Sequence, residues 1–440
     1  MIDINLIREG SEAVAKTLAK RGYEIEQVSK MFAELLKLDA KKRKIQTEGE
    51  NLRAERNRLN DQISKAKDAT ERTNLIAGTK VLSEKISKIN IDKIEKKIFD
   101  IMAGIPNLPM EEVQSGGKEK NRVVETIGVK PTFDFKPKDH VELCTSLGLI
   151  DYERAAKISG RGTWVYTNMG ARLEWALLNY FVDFHTRNGY EFIMPPHLLN
   201  YQSGYAAGQF PKFAENIFCT SAGAGIGTKG GKAPKFSDPD FRFLLPTSET
   251  AIINLHRDEI IPQDKLPIKY FGFSPCYRRE IGNYGNSERG MIRGFQFHKI
   301  EQFIFCNKED DEQYFLEIVS NAEELVRGLG LHARTVALAA GDVGGAMAKT
   351  YDIEVYIPSM TSIEGGFKEV SSCSTAQQYQ ARRAAIRTKR TTTEFVHTLN
   401  ASGLATSRLI PAIVEQFQTA DGRVRVPEVL QKYLGGAKFL

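Results

Sequence analysis

Tyr277-Arg-Arg-Glu280-Ile-Gly-Asn-Tyr-Gly-Asn-Ser-Glu-Arg-Gly290-Met-Ile-Arg-Gly-Phe-Gln-Phe-His-Lys-Ile-Glu301 is the stretch on which the fold turns. Phe273-Ser-Pro-Cys276 leads into it, so the pattern predicts two strands joined by the Gly-rich loop 281–290. Arg278, Glu280, Arg293, Phe297 and Glu301 fall on or near those strands. The planar fork of an arginine donates bidentately to phosphate oxygens. An aromatic ring can stack on a nucleobase, and a carboxylate can accept from its exocyclic amine. A surface ladder of ion pairs would use the same residue types, so the hairpin by itself leaves both readings open.

Working outward toward the C-terminus, Glu369-Val-Ser-Ser-Cys-Ser374 sets a carboxylate and a hydroxyl three residues apart, usable as two oxygen ligands for Mg²⁺. Thr398-Leu-Asn-Ala-Ser-Gly-Leu-Ala-Thr-Ser-Arg408 carries a Gly turn into a helix bearing Arg408. Toward the N-terminus, residues 171–189 read as a largely apolar helix, and Phe192-Ile-Met-Pro-Pro196 as a short strand ended by prolines. Residues 221–238, rich in Gly, Lys and Ser, read as an exposed loop. Further strands (Phe243-Leu-Leu, Lys269-Tyr-Phe-Gly-Phe, Gln302-Phe-Ile-Phe, Ile353-Glu-Val-Tyr-Ile) alternate with helices. These alternating strands and helices carry neither a P-loop nor a GxGxxG, so a Walker or Rossmann nucleotide fold has no support.

The first 105 residues have a different character, and Pro106 is the first proline. Met31, Leu38, Ile45, Leu52 and Leu59 recur every seven residues, with Val28, Leu35 and Ile63 as companions. That is a coiled-coil seam, broken midway in the companion row by Lys42, Gly49 and Arg56. A second row runs Leu75, Leu82, Ile89, then Ile94, Ile98 and Ile101. The polar stretch 65–73 between the rows is short enough to fold the second helix back antiparallel. The expectation is a helical hairpin over 1–105, a polar linker over 106–130, and an α/β globule over 131–440. Between Glu26 and Gly104 there are 18 Lys or Arg against 13 Asp or Glu, nearly the whole of the chain's net +6. Lys41-Lys-Arg-Lys44, Arg53 and Arg56 would line solvent with positive charge, which suits a polyanion held by phosphate contacts. A plain dimerising or spacer coil is the competing reading.

With 440 residues, 41% hydrophobic and 26% charged, the chain has the composition of a soluble protein of two or three domains. No run of about 18 apolar residues is long enough to span a membrane. The opening Met-Ile-Asp-Ile-Asn-Leu has no secretory or transit pattern, so a cytoplasmic location is the expectation. Five scattered cysteines make neither a disulfide framework nor a CxxC knuckle, and zinc is not expected.

These clusters, taken with Ile105-Pro-Asn-Leu-Pro109, Pro137-Lys-Asp-His-Val-Glu142, Gly208-Gln-Phe-Pro-Lys-Phe213, Lys349-Thr-Tyr-Asp-Ile-Glu354 and Val426-Pro-Glu-Val-Leu430 in that order, resemble the seryl-tRNA synthetases of class II along essentially the whole chain. The resemblance implies an α+β protein. An N-terminal antiparallel coiled-coil hairpin precedes a catalytic domain built on an antiparallel sheet flanked by helices. It implies activation of L-serine with ATP and Mg²⁺, and transfer to tRNA(Ser), with tRNA(Sec) left open as a second acceptor. Arg278, Glu369 and Arg408 would be catalytic. Arg278, Arg279, Glu280, Gly294, Phe295, Gln296, Phe297, Glu369, Val370, Ser371, Ser372 and Arg408 would surround ATP. Glu369 and Ser372 would hold Mg²⁺. Thr247, Ser248, Glu249, Arg278, Glu301, Asn400 and Ser402 would form the serine pocket. Lys41, Lys42, Arg43, Lys44, Arg53 and Arg56 would meet tRNA. The helix and strand ending at Pro195-Pro196 would build a homodimer interface.

The chain departs from the family in several places. Phe295 stands where His is usual, and the stretch between Pro358 and Glu369 is about four residues longer. The loop 221–238 is expanded, and the usual Asn-Gly-Ser-Gly reads Asn400-Ala-Ser-Gly403. None of these removes a phosphate, metal or serine contact. Two other functions fit the same fold: loading serine or a serine-like compound onto another acceptor, and non-catalytic tRNA binding. The basic arm argues against the first, and the presence of Arg278, Glu369 and Arg408 against the second.

Overall fold

In the computed structural model, residues 1–221, 240–280, 290–362 and 364–440 are described. Most of the loop 221–238, nearly all of 281–290 and Ile363 of the lengthened segment lie outside the described residues. The chain divides into two compact units. One comprises Ile2–Ala19 and Tyr23–Ile105, and the other comprises Met1, Lys20–Gly22 and Pro106–Leu440.

The smaller unit holds four helices: α1 (Ile4–Ala19), α2 (Ile25–Lys65), α3 (Ala69–Ser87) and α4 (Asp92–Gly104). At 1.5 Å per residue the 41 residues of α2 extend about 62 Å. The expected polar turn lies at 66–68, where the Asp68 carboxylate caps α3 by accepting from the Glu71 amide at 2.8 Å. The second apolar row is not one helix. Its period slips between Ile89 and Ile94, and there the chain breaks into α3 and α4, with Asn90 Oδ1 accepting from the Asp92 amide at 3.0 Å. The gap at Gly49 in the first row has a packing reason. A Cβ there would come within 3.1 Å of Ile89 Cδ1, so the missing side chain makes room for the residue at the break. Asp39, buried in α2, accepts from Arg8 of α1 at 2.9 and 2.6 Å and from Arg43 at 3.1 Å. Lys42 pairs with Glu95 of α4 at 2.9 Å. Lys41, Lys44 and Arg53 stay exposed.

The larger unit is organised by one eight-stranded sheet. Numbered in chain order its strands are β1 (Arg122–Ile127), β2 (Glu191–Ile193), β3 (Ile268–Tyr277), β4 (Gln296–Cys306), β5 (Ala333–Ala337), β6 (Lys349–Tyr356), β7 (Phe367–Gln377) and β8 (His397–Ala405). The spatial order is β1-β5-β6-β7-β8-β4-β3-β2. Every pairing is antiparallel except that of β2 with β3. Residues 106–130, expected as a linker, belong to this unit instead. The β-branched run of β1 pairs with β5, and the Asn107 side-chain amide donates to Ala346 O and Ala376 O at 3.0 and 2.9 Å. Its polarity misled because β1 is an edge strand with only Ile127 buried.

Three helices, α5 (Asn168–Arg187), α6 (Asp311–Gly328) and α7 (Thr406–Gln416), supply most of the core. α5 buries Leu173, Leu177 and Phe181, and α6 buries Phe315, Ile318 and Leu325. Against them stand Ile300 and Ile304 of β4, Ile353 and Val355 of β6, and Leu399 and Ala401 of β8. Successive strand residues point to opposite faces. The residues between these apolar ones (Phe297, Lys299 and Glu301; Thr350, Asp352 and Glu354; Asn400 and Ser402) therefore share the face away from the core.

Candidate active site

That second face floors a cleft of about 420 Å³, lined by Thr247, Glu249, Arg278, Lys299, Glu301, Asn400 and Ser402 on one side and by Asp352, Glu354, Glu369, Ser372 and Arg408 on another. A smaller recess of about 40 Å³ is lined by Arg278 and Arg408 as well, together with Glu280, Gly294, Phe297 and Val370.

β4 and β8 build the polar floor. Glu301 lies directly opposite Ser402 in the register. Its carboxylate is buried and fully engaged: Thr247 donates at 3.2 Å, Asn400 Nδ2 at 3.1 Å, the Ser402 hydroxyl at 3.4 Å, and the Lys299 ammonium forms an ion pair. Lys299 also donates to Thr247 Oγ1 at 2.8 Å and to Ser402 Oγ at 3.1 Å. Glu249 is different. Its carboxylate accepts from the Gln380 side-chain amide at 2.6 Å, and no cation among the described residues pairs with it. Burial, with the negative charge of Glu301 adding to it, pushes the Glu249 carboxyl up to about 7. Gln380 is itself held by Thr398 at 2.8 Å, so the Glu249 carboxylate is oriented from behind.

The arginines face one another over this floor. The Arg278 guanidinium lies 5.2 Å from the centroid of Phe297 and donates to Pro246 O at 3.3 Å. Arg408 donates to the Glu369 carbonyl at 2.6 Å and stands 3.5 Å from its carboxylate. Glu280, with a left-handed φ of 48°, pairs with Arg293 at 2.7 Å. Gly294 is required where it is. A Cβ would meet Trp164 at 2.2 Å, so the backbone passes closely beneath the indole.

Glu369 and Ser372 are an odd number of residues apart and would face opposite ways on a regular strand. A register shift in β7 between the residues opposite Ile353 and Glu354 adds one residue there, and both side chains reach the cleft. Asp352 of β6 lies directly opposite Ser372, with its Oδ1 buried and without a hydrogen-bond partner. Burial, then the charge of Glu369, holds the Asp352 carboxyl well above the usual range, and a hydrogen bond with Ser372 opposes that shift. Among the described residues no group of three or more His, Cys, Asp or Glu is gathered as a metal cage. A carboxylate, a hydroxyl and an orphaned buried carboxylate oxygen do fit a Mg²⁺ ion, which keeps waters and phosphates as its remaining ligands.

Not every expected residue is in this group. Arg279 turns away, donating to Glu215 O at 3.2 Å, and Phe295 packs edge-on to Phe218. Gln296 borders a separate pocket with Trp164 and Tyr166. Ser248 is bonded to Ser274 at 2.7 Å beneath the floor, and Ser371 donates to Ser402 O at 2.5 Å, bracing that strand from below. Lys299 and Asp352 were not among the expected site residues. Strand alternation from Phe297 and Glu301 finds the first, and alternation from Glu354 finds the second.

A mainly antiparallel sheet with arginines over an acidic, hydroxyl-rich floor defines a class II aminoacyl-tRNA synthetase core. Residues 235–417 match the family described as tRNA synthetase class II core domain (G, H, P, S and T), and residues 1–109 match the seryl-tRNA synthetase N-terminal domain. The chain is 50% identical to serine–tRNA ligase 2 of Clostridium acetobutylicum over 100% of both chains. It is 41% identical to the serine–tRNA ligase of Thermodesulfovibrio yellowstonii over 99% of each. The crystal structure of seryl-tRNA synthetase from Pyrococcus horikoshii complexed with ATP matches with a TM-score of 0.87 at 34% identity, covering 100% of this chain and 99% of that one. The chain belongs to the seryl-tRNA synthetase family, and its activity is that of a serine–tRNA ligase using ATP.

The floor itself is testable without substrates. Lys299→Met leaves Glu301 buried without its cation and should lower unfolding free energy by about 3–5 kcal/mol. Adding Glu301→Gln should recover part of the loss. Urea unfolding followed by tryptophan fluorescence reads this directly, since both tryptophans, Trp164 and Trp175, lie in the larger unit. An unchanged midpoint for Lys299→Met would refute the pair's importance.

Proposed function

We propose that this cleft performs both half-reactions of serine–tRNA ligation with the residues placed as follows. The serine carboxylate attacks the α-phosphorus of ATP in line, forming seryl-adenylate as pyrophosphate leaves. A 3′-terminal ribose hydroxyl of tRNA then attacks the serine carbonyl, and AMP leaves. The observation that carries this reading is the unmatched charge. Glu301 has Lys299, but buried Glu249 has no cation among the described residues, and Arg278, which lines the cleft, has no carboxylate partner among them.

Glu249 takes the serine ammonium as the missing cation. Thr247, Asn400 and Ser402, already oriented by Glu301, set the polar wall for the hydroxyl. Arg278 bridges the serine carboxylate and the α-phosphate, drawing the reacting groups together and offsetting charge on the pentacovalent transition state. Phe297 stacks on adenine, Glu280 faces its amino group, and Arg408 clamps the γ-phosphate. Glu369 and Ser372 hold Mg²⁺, which when bound offsets phosphate charge. Arg279, Phe295, Gln296, Ser248 and Ser371 act as scaffold rather than ligand contacts.

Arg278→Ala and Glu369→Ala should each reduce serine-dependent ATP–pyrophosphate exchange by about 10²-fold or more. Near-normal exchange in either variant would sink the assignment of the phosphate site.

The raised carboxyl of Glu249 also predicts a pH effect. Below about 7 it holds a proton and no longer balances an ammonium. The KM for serine should therefore rise by about tenfold per pH unit as pH falls through that value. Glu249→Gln should raise KM at pH 8 and flatten the profile. A wild-type KM that stays level between pH 6 and 8 would contradict the role.

The helical unit is the tRNA-binding arm, the larger unit the catalytic one, and the exposed Lys41, Lys44 and Arg53 are its best phosphate contacts. Lys42 and Arg43 are committed in part to Glu95 and Asp39. A homodimer forms through α5 and β2, where Trp175, Phe192 and Met194 are 60%, 42% and 72% exposed. The protein works in the cytoplasm, where ATP, serine and tRNA meet; among the described residues no helix is long and apolar enough to cross a membrane. Reversing Lys41, Lys44 and Arg53 to Glu should weaken binding of tRNA(Ser). The log–log salt slope should lose about 0.7–0.9 per contact. Filter binding between 50 and 300 mM salt (about that range) measures it, and an unaltered slope would leave the arm a spacer.

A further inference from the structure

The carboxylates of the cleft are almost all matched by fixed partners. Glu301 has Lys299, Glu280 has Arg293, Glu354 has Arg334 at 2.6 Å, and Glu369 has Arg408 at 3.5 Å. Three have no ion pair among the described residues: Asp342, which accepts from the Asn121 amide at 2.7 Å, Glu249 and Asp352. Glu249 lies in the serine pocket and is accounted for by the substrate's ammonium. Asp352 lies on β6, on the cleft face, opposite Ser372.

The neighbours of Asp352 do not relieve its charge. Thr350 and Ser374, which flank the Asp352–Ser372 pair on the same face, are bonded to each other at 2.8 Å. Glu354 and Glu369 stand opposite one another across the same two strands, so the local surroundings are acidic. One oxygen, Oδ1, is buried with no hydrogen-bond partner among the described residues. A buried carboxylate beside other carboxylates is costly unless a cation reaches it. Among the described residues no protein cation does, so the carboxyl is relieved either by a proton or by a cation that arrives with the ligand.

We propose that Asp352 is a third oxygen donor of the divalent-cation site, engaging Ser372 on one side and presenting its free oxygen to the ion or to a water bound to it. This rests on the reading of the cleft as an ATP–Mg²⁺ site. Two carboxylates and a hydroxyl from the protein, with phosphate oxygens and water completing the shell, match the way Mg²⁺ is usually held. Asp352 thereby fixes the direction of the Ser372 hydroxyl as well as adding charge, the usual work of a group that supports a metal ligand.

Asp352→Asn keeps the shape and removes the charge. Mn²⁺ titration of the full-length protein with α,β-methylene-ATP, followed by the electron paramagnetic resonance signal of free Mn²⁺, should show a Kd for Mn²⁺ raised by about 10–100-fold. Thermal unfolding of the metal-free variant should begin no earlier than that of wild type, because the amide replaces a buried carboxyl of the same shape that has no ion pair to lose. A Kd within about twofold of wild type, or a metal-free variant that unfolds well below wild type, would overturn the proposal; the latter would make Asp352 a structural anchor. Wild type that fails to bind Mn²⁺ with the analogue would overturn the ATP–metal reading itself. Wild-type binding with an indifferent Asp352→Asn overturns only the role of Asp352.

Discussion

The buried ion pair between Lys299 and Glu301 is the interaction on which the larger unit's chemistry depends. Two residues apart on β4, they share one face and tie two other segments to it: the turn at Thr247, and β8 through Asn400 and Ser402. A buried pair gains stability only when its remaining hydrogen-bonding capacity is met. Here every partner that meets it is also a wall of the pocket. Pocket geometry and fold stability are therefore one set of bonds.

The rest of the site is a pattern of charges left unequal by the fold. Glu301 is matched internally, so it can orient neutral hydroxyls and amides without attracting a cation. Among the described residues Glu249 and Asp352 are not matched by a cation, which is the imbalance on which both proposals above are built. Arg278 and Arg408 supply the opposite sign, restrained by carbonyls and by Glu369 so that their guanidiniums stay directed inward. Preorganised charge of this kind removes the reorganisation that water would have to undergo during phosphoryl attack.

Much of this was legible in the sequence because strands write their two faces in alternate letters. Apolar Ile300 and Ile304 interleave with Lys299 and Glu301, and the split between core and cleft follows. The same alternation explains the misplaced residues. A motif read as a continuous run, such as Tyr277-Arg-Arg-Glu280 or Glu369-Val-Ser-Ser372, includes the side chains behind the site with those in it, as Arg279 and Ser371 show. Asp352 was not legible, since its distinction among 55 acidic residues is burial opposite a serine twenty positions away. β1 was hidden by the polarity of an edge strand, and the break between α3 and α4 shows in the sequence only as a slip of phase from Ile89 to Ile94.

The extra residue in β7 has a consequence for how this protein can change over time. Because the strand shifts register at that point, Glu369 and Ser372 face the cleft together only while two residues separate them. Length is thus frozen between these two positions, and adding or losing a single residue there would turn one donor toward the core. Just upstream, the longer stretch after Pro358 leads into β7 at Phe367, ahead of the shift. The spacing constraint begins inside β7 and does not reach back to Pro358.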